Sequence, residues 1–409
     1  MSLIKKLFKG DTVVWIVFLF LCIISLIEVY SASSTLAYSV KNTYGPILRH
    51  GTFLLVGASL IVIMHNIHYK YASLLGLLFF VIALFLLGIA PFYGVRVNNA
   101  ARWVNVFGIQ FQPSEFAKLA MIIFTSFMLG KTQRSDDSRN KAFWIIMIVT
   151  GVFALMILME NLSTAILLCV VVYIMMFLGR VNSKKLVLLG GGVLVAIFLF
   201  MFLLKVVDHA PGLPRWSTWQ NRVYGAELKV TDPDFKIVDK NYQESNANIA
   251  IANGRFLGSL PGNSTQRDFL PQAYSDFIYA IIIEEMGWFG MLVIPFLYLV
   301  LFYRALVIAR KCVKIYPMLL VMGSALMVCL QAFINMMVAV GVFPVTGQPM
   351  PLVSRGGTST LITCIYFGIM LSVSRYGNPE AEIREQTELD EEDEPLNRQA
   401  MDTSSEYGV

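Results

Sequence analysis

The sequence has little charge and lacks the common signatures of several enzyme classes. Only 14% of its 409 residues are charged, whereas 56% are hydrophobic, a balance too apolar for the surface of a water-soluble protein. It contains no H-E-x-x-H pair and no G-x-x-x-x-G-K-[ST] loop, so the usual motifs of zinc proteolysis and ATP-driven transport are missing. Its five cysteines have no C-x-x-C spacing, which argues against disulfides and a thiolate metal site.

Long apolar runs fill most of the chain. A helix needs roughly 20 mostly apolar residues to cross a bilayer. Ten runs approach this length: 13–32, 47–66, 71–92, 113–130, 142–159, 162–179, 186–206, 277–303, 316–340 and 352–374. We therefore predict an all-α polytopic membrane protein with about ten transmembrane helices. The first run is longer than the core of a cleaved signal peptide, and we interpret it as a retained helix.

Lysine and arginine in alternate loops predict the orientation. They are Lys70, Lys131, Arg134, Arg139, Lys141, Arg180, Lys184, Lys185, Arg304, Arg310, Lys311 and Lys314. Because positive loops stay in the cytoplasm, both termini are expected there. The large hydrophilic segment 207–275, between the seventh and eighth helices, is then expected outside.

Two domains differ in composition. Residues 1–379 form the predicted membrane domain, and 380–409 form a tail with eleven acidic residues against two arginines. Such a tail is expected to be solvated and disordered. It either solubilises the chain end, which we favour, or binds a cytoplasmic partner.

A first polar cluster lies in ARWVNVFGIQFQPSEFAKLAMIIF, residues 101–124. We predict that Arg102 lies in an outer loop and that Pro113, Ser114 and Glu115 open a helix, which capping alone explains. Lys118 does not fit that account, because it follows Glu115 by three residues inside an apolar run. Two interpretations of this lysine stay open. It either forms an ion pair with Glu115 that holds the helix bundle together, or it binds an anionic substrate.

A second cluster is the outer segment, which contains RWSTWQNRV and NYQESNANIAIANGRFLGSLPGNSTQRDFLP. Trp216 and Trp219 are typical of membrane-interface anchors. Arg215 and Arg222 have planar groups that suit a phosphate, and Gln243 is a further candidate for substrate binding. Such a segment is more often simply a folded outer loop than a site.

The third cluster is FLPQAYSDFIYAIIIEEMG, residues 269–287. Ser275 or Asp276 is predicted to cap the helix that begins at Phe277, and local sequence favours this reading. The alternative is a partly desolvated carboxylate that takes a proton from a hydroxyl. Glu284 and Glu285 are expected to face the bundle interior without a chemical step.

The fourth cluster is FPVTGQPMPLVSRGGTST, residues 343–360. Its prolines and glycines exclude a regular helix, and irregular backbone at membrane depth is tolerated only against protein or a watery cavity. Ser354 and Arg355 are therefore expected beside a cavity. Amides around Gly356 and Gly357 are candidates for an anion-binding nest at a helix start.

All four clusters lie toward the outer side by loop parity. A basic, carboxylate-bearing cavity there suits an amphiphile with an anionic head and a lipid tail. A lipid flippase or secondary transporter also uses such a cavity, and a non-catalytic scaffold is a further alternative.

Three motifs resemble the SEDS family (shape, elongation, division and sporulation), whose members FtsW and RodA are cell-wall polymerases. They are RWVNVFGIQFQPSEFAKLA, QRDFLPQAYSDFIYAIIIEEMGWFG and FPVTGQPMPLVSRGGTST. The resemblance implies peptidoglycan glycosyltransfer from lipid II at the outer face of the bacterial cytoplasmic membrane, with release of undecaprenyl pyrophosphate. It also implies a class B penicillin-binding protein and other division proteins as partners, and no nucleic acid.

The resemblance also assigns residues. The family's essential aspartate matches Asp276, which is then the expected general base. For the leaving diphosphate we rank Arg102 and Lys118 first, then Arg215, Arg222 and Arg355. A divalent ion, Mg²⁺ or Mn²⁺, is compatible with this chemistry, but no ligand cluster in the sequence requires it.

Two positions depart from the pattern of many relatives. Asn161 occupies the place of a usual aspartate, with Glu160 one position earlier. Arg355 stands where many elongation-type members have tyrosine, so the chain resembles the division-type branch more than the RodA-like branch.

Overall fold

The computed structural model describes residues 9–32, 44–97, 100–106, 109–133, 135–207, 216–224, 242–270 and 273–378. The elements are α1 (Thr12–Ala32), α2 (Gly45–Asn66), α3 (Ala72–Tyr93), β1 (Val95–Val97), β2 (Ala100–Val106), β3 (Ile109–Phe111), α4 (Pro113–Lys131), α5 (Asp136–Glu160), α6 (Leu162–Leu178), α7 (Ser183–Val206), α8 (Trp216–Tyr224), α9 (Tyr242–Gly254), α10 (Ile278–Lys311), α11 (Ile315–Ala339) and α12 (Thr358–Tyr376). The acidic tail lies outside the described residues.

All ten predicted apolar runs are helical. Eight helices in the described part of the chain are long and apolar enough to cross a membrane. The other two predicted runs are α4 and the 17-residue α6. The chain is therefore an all-α, multi-pass membrane protein.

Three predicted helix bounds differ from the structure by six or more residues. Helix α5 begins at Asp136 rather than at 142, because its first turn is polar and is capped by Ser135. Helix α10 continues to Lys311 rather than ending near 303, because a helix can extend past its apolar run into polar surroundings. Helix α12 begins at Thr358 rather than at 352, because Gly357 before it has a positive φ of 55°.

Local sequence explains where several helices begin. Ser135 accepts a hydrogen bond from the Ser138 amide at 3.2 Å, and Asn161 accepts one from the Ser163 amide at 3.1 Å. These side chains satisfy amides that lack partners within the first turn. In α4, Pro113 is the first helical residue, where its missing N–H costs nothing.

The helices differ greatly in how deeply they are buried. In the most apolar 18-residue stretch of each helix, the share buried inside the protein is 78% in α11 and 83% in α12 but only 6% in α7. Helices α11 and α12 therefore form the centre of the bundle. Helix α7 lies at its edge, with large apolar side chains such as Leu188 and Phe198 exposed.

A sharp kink at Gly287 divides α10. This glycine has φ 60° and ψ −143°, a conformation that residues with a Cβ rarely adopt. The chain after α9 lies across the kink, since the Trp288 amide donates to the Phe256 carbonyl at 3.2 Å. The kink thus fixes the segment 256–260 against α10.

Substituting Gly287 with alanine should destabilise the protein by about 1 to 3 kcal/mol because of backbone strain. An added Cβ would also lie 2.5 Å from the Phe256 carbonyl oxygen. Thermal unfolding in detergent measures the effect. Gly191 of α7 is the matched control, since a Cβ there meets nothing within 4 Å. Equal losses of stability in the two variants would contradict the role of the kink.

A small antiparallel sheet, which the sequence analysis did not predict, connects α3 to α4. Its strand order is β1-β2-β3, with Val95 opposite Trp103 and Val104 opposite Phe111. Val104 packs on Leu86 at the end of α3. Arg102 therefore lies in a strand of the connection between α3 and α4, and the outer position of this connection stays a prediction.

The segment after α7 also contains helices. Trp216 and Trp219 of α8 are buried against Leu204, and the Trp216 indole N–H donates to the Val207 carbonyl at 2.7 Å. Both rings therefore pack inside the protein, and the interpretation of the two tryptophans as membrane-interface anchors stays a prediction.

Candidate active site

Asp276 lies in a short turn at residues 273–277, directly before α10. Its side chain is half-buried, and the Ser275 hydroxyl donates to its Oδ1 at 3.0 Å. The residue that precedes the first helical position is Phe277, and no side chain caps this helix. The prediction that Ser275 or Asp276 caps α10 was therefore wrong, and the Asp276 carboxylate is not used for that purpose.

The irregular segment 343–357, predicted from its prolines and glycines, lies against this turn. The Ser354 hydroxyl donates to the Ser275 carbonyl at 2.6 Å, and the Arg355 amide donates to the Tyr274 carbonyl at 3.0 Å. The Arg355 guanidinium lies 5.4 Å from the centre of the Tyr274 ring, within the range of a cation–π contact. These contacts bring the third and fourth sequence clusters together.

Two amides on α11 connect the same turn to the irregular segment. The Asn335 Nδ2 donates to the Asp276 carbonyl at 3.1 Å and to the Gln348 carbonyl at 2.8 Å. One helical turn earlier, the Gln331 Nε2 donates to the Pro349 carbonyl at 2.9 Å. The backbone around Asp276 is therefore fixed from two directions.

Lys118 extends this network to α4. Its Nζ lies 2.7 Å from Glu115 Oε1 and 2.6 Å from Gln331 Oε1. The lysine side chain is 1% exposed and that of the glutamate 4%. The predicted ion pair between Glu115 and Lys118 is thus present. Ser114 beside it is buried, and its hydroxyl accepts a hydrogen bond from Gln112 at 3.3 Å.

Arg355 combines partial burial with a nearby second cation. Burial lowers the pKa of Arg355 from its ordinary value; Tyr274 raises this pKa and Arg49 lowers it. Arginine remains protonated in proteins despite such shifts. Within the described residues Arg355 forms no ion pair with a carboxylate, whereas Lys118 forms one with Glu115. The geometry therefore favours Arg355 over Lys118 for contacting an anion, the reverse of the order given from sequence.

The start of α12 lies beside Arg355. Gly357 has a positive φ of 55°, and the Thr358 hydroxyl donates to the Gln110 carbonyl at 3.1 Å. The amides of Ser359 and Thr360 donate to the carbonyls of the two glycines at 3.1 and 3.2 Å. An anion-binding nest would therefore depend on the amides of Gly356, Gly357 and Thr358, and it stays a prediction.

Glu284 and Glu285 face the interior of the protein, as expected. Glu284 accepts hydrogen bonds from the Thr265 hydroxyl at 2.9 Å and the Gln266 amide at 3.2 Å. Glu285 accepts one from the Ser31 hydroxyl of α1. Both carboxylates therefore hold the segment before the Asp276 turn against α10.

Several candidates lie outside the described residues or apart from the network. Arg215 and the side chains of Arg102 and Arg222 are outside the described part. Gln243 lies half-buried on α9, which packs against α10. The Asn161 Nδ2 donates to the Thr346 carbonyl at 3.3 Å, so the residue that replaces the usual aspartate also contacts segment 343–357.

The sequence analysis missed four polar residues that contact or adjoin this region. They are Ser25, His50, Gln331 and Asn335. Each is a buried polar side chain within a membrane-spanning helix, which is itself a signal of function. Three of the four, Ser25, Gln331 and Asn335, carry no charge, and isolated uncharged polar residues have little effect on the hydropathy of a span.

The described residues contain no group of three or more His, Cys, Asp or Glu side chains arranged to hold a metal ion. The residues of this part of the chain therefore do not form a metal site on their own.

Comparison with known proteins identifies the relatives of the chain. The family model of the FtsW, RodA and SpoVE cell cycle proteins matches residues 11–378. A probable peptidoglycan glycosyltransferase FtsW from Geobacter sulfurreducens is 29% identical over 382 residues, which cover 91% of this chain and 96% of that protein. A protein with the same description from Dichelobacter nodosus is 33% identical over 382 residues, 90% of this chain and 91% of the relative.

Solved structures share the fold. A chain of a peptidoglycan synthase complex that coordinates polymerisation and crosslinking has a TM-score of 0.71 at 20% identity, over 90% of this chain and 98% of its own. The rod shape determining protein RodA of Thermus thermophilus has a TM-score of 0.62 at 20% identity, over 90% of this chain and 97% of its own.

Proposed function

The chain belongs to the FtsW, RodA and SpoVE family of cell cycle proteins, and we propose that it is a peptidoglycan glycosyltransferase that polymerises lipid II during cell division. The observation that carries this proposal is the turn at Asp276, whose backbone accepts hydrogen bonds from two distant parts of the chain: Ser354 and Arg355 of the irregular segment, and Asn335 of α11. The family relatives named FtsW favour the division role over the elongation role.

In the proposed reaction, the 4-hydroxyl of an acceptor N-acetylglucosamine attacks C1 of a donor N-acetylmuramic acid. Asp276 takes the hydroxyl proton as the new C1–O bond forms. The bond from C1 to the diphosphate oxygen breaks, undecaprenyl pyrophosphate leaves with its electron pair, and the linkage inverts from α to β. The half-buried position of Asp276 suits a base that must also reach a substrate.

The leaving diphosphate needs positive charge and hydrogen-bond donors in place before the reaction. We assign the first of these roles to Arg355, with the amides near Gly356 and Gly357 and with Arg102, Arg215 and Arg222 as further candidates. Lys118, Glu115 and Ser114 then act mainly by positioning α11 and the Asp276 turn. We derive no step through a divalent ion.

The proposed location is the bacterial cytoplasmic membrane, with both termini in the cytoplasm and Asp276 at the outer face. The partners are lipid II, the growing glycan strand, a class B penicillin-binding protein and other division proteins. A single-pass partner helix fits the exposed side of α10, which carries Trp288, Leu292 and Phe296. The largely buried α11 offers little surface for it.

The test is polymerisation of purified lipid II by the purified protein with its penicillin-binding partner, run with and without EDTA. Glycan polymer from the wild type supports the proposal, and a loss with EDTA shows that the reaction needs a divalent ion. Translocation of lipid II across vesicles without polymer would instead support a flippase. Normal division of cells that contain only Asp276→Asn would support a scaffold. Filamentous rather than rounded cells after depletion would distinguish division from elongation.

Arg355 is expected to contribute through its charge and its planar group. Arg355→Ala should lower kcat/KM for lipid II by about 10- to 100-fold, the value of one charge-assisted hydrogen bond. Arg355→Lys should recover part of this loss, because lysine keeps the charge but not the paired donors. The rate of polymerisation at several lipid II concentrations measures both. An alanine variant with wild-type kcat/KM would remove Arg355 from the site.

A further inference from the structure

Two buried polar residues on the first two helices contact the segment that carries Arg355. The Ser25 hydroxyl of α1 donates to the Val353 carbonyl at 2.9 Å. His50 of α2 lies with its Nε2 2.7 Å from the same hydroxyl oxygen. Ser25 is 0% exposed and His50 is 1% exposed, so neither is solvated. Helices from the start of the chain therefore reach the segment two residues before Arg355.

The direction of these hydrogen bonds follows from counting protons. A serine hydroxyl has one hydrogen, and Ser25 donates it to Val353. The Ser25 oxygen must therefore accept from His50, which requires a proton on Nε2. This assignment of the histidine proton rests on the hydrogen-bond pattern. His50 thus orients the serine, and the serine holds the carbonyl.

The held backbone is strained. Leu352, directly before Val353, has a positive φ of 64°, which is rare for a residue with a Cβ. Such conformations persist only where the surroundings impose them. Ser25 holds the segment at Val353, while on the other side Ser354 bonds to the Ser275 carbonyl at 2.6 Å. The two contacts hold residues 352–354 between α1 and the Asp276 turn.

We propose that His50 and Ser25 are positioning residues that hold the 350–355 segment so that the Arg355 guanidinium is placed for the lipid-linked diphosphate. The inference rests on the function proposed above, since it assigns the pair to the same site. Neither residue touches substrate. Their effect passes through the Val353 carbonyl to Arg355, which lies beside Tyr274 on the Asp276 turn.

The test is a double-mutant cycle in the lipid II polymerisation assay. His50→Leu is expected to lower kcat/KM about tenfold, the usual consequence of breaking one buried hydrogen bond. In an Arg355→Ala background the same change should lower it less than about twofold, because coupled residues are not additive. His50→Gln should restore most activity, since its amide N–H can replace the Nε2 proton.

His65 is the matched control. It is a second buried histidine on α2, but its Nδ1 faces the Ile61 carbonyl of its own helix at 3.2 Å. His65→Leu should have the same effect on kcat/KM with and without Arg355. If His50→Leu does not fold, two variants of Ser25 provide the same comparison. Ser25→Ala removes the hydroxyl and should lower kcat/KM, whereas Ser25→Thr keeps the hydroxyl and should restore most activity.

The outcomes separate the two proposals. A tenfold loss in both backgrounds would overturn the positioning role, as would a glutamine variant no better than leucine. A wild-type protein that forms no polymer would instead defeat the proposed function, whatever the His50 variants do.

Discussion

Glycan polymerisation by Asp276→Ala is expected to fall about 10²- to 10⁴-fold below that of the wild type, the range typical of a lost general base. The fold should survive, because the hydrogen bonds that hold this turn end on backbone atoms. Asn335 bonds to the Asp276 carbonyl and Ser354 to the Ser275 carbonyl, and neither needs the carboxylate. The measurement is polymer formed from lipid II per unit time, with thermal unfolding recorded in parallel.

Asp276→Asn and Asp268→Asn provide the controls. Asparagine at 276 keeps the shape but cannot take the proton, so it should be nearly as inactive as alanine. Asp268 is a second carboxylate close in sequence, mostly exposed and 3.9 Å from Arg267, and its asparagine variant should polymerise normally. If Asp276→Asn retained wild-type rates, the carboxylate would have no part in proton transfer.

Lys118→Met is expected to destabilise the protein by about 3 to 5 kcal/mol, because it leaves a buried carboxylate without its partner. Glu115 and Lys118 of α4 are both buried. The Lys118 Nζ also donates a hydrogen bond to Gln331 of α11. Methionine preserves most of the side-chain volume, so the loss is electrostatic rather than a cavity effect. Thermal unfolding in detergent measures it.

The double variant Glu115→Gln/Lys118→Met distinguishes a structural role of the ion pair from a role in the reaction. It removes both charges together and should regain most of the lost stability. Polymerisation that returns with stability would mean that the pair only supports α11 and the Asp276 turn. Polymerisation that stays low in a stable protein would mean that the lysine charge acts on the substrate. A stable Lys118→Met single variant would contradict the buried ion pair.

The sequence predicts the helices of this protein well because each spanning helix satisfies its backbone internally. The run predicted at 113–130 is α4, Pro113–Lys131, and the run at 186–206 lies within α7. Hydropathy depends on nearby residues only, so it needs no knowledge of the fold.

The site was predicted only in part, because its contacts connect distant positions. Ser25 and Val353 are 328 positions apart, and Lys118 and Gln331 are 213 apart. No local pattern contains such pairs. The capping prediction at Asp276 failed for the same reason, since hydrogen bonds from Asn335 and Ser354 set the turn that precedes α10. The sheet before α4 was missed because its strands are only three to seven residues long.

The order of these residues along the chain has a consequence for the timing of synthesis. Ser25 leaves the ribosome among the first residues, whereas Ser354 and Arg355 leave only after α11. A nascent chain still emerging from the insertion machinery therefore has the Asp276 turn without the hydrogen bonds that Ser354 and the Arg355 amide donate to it.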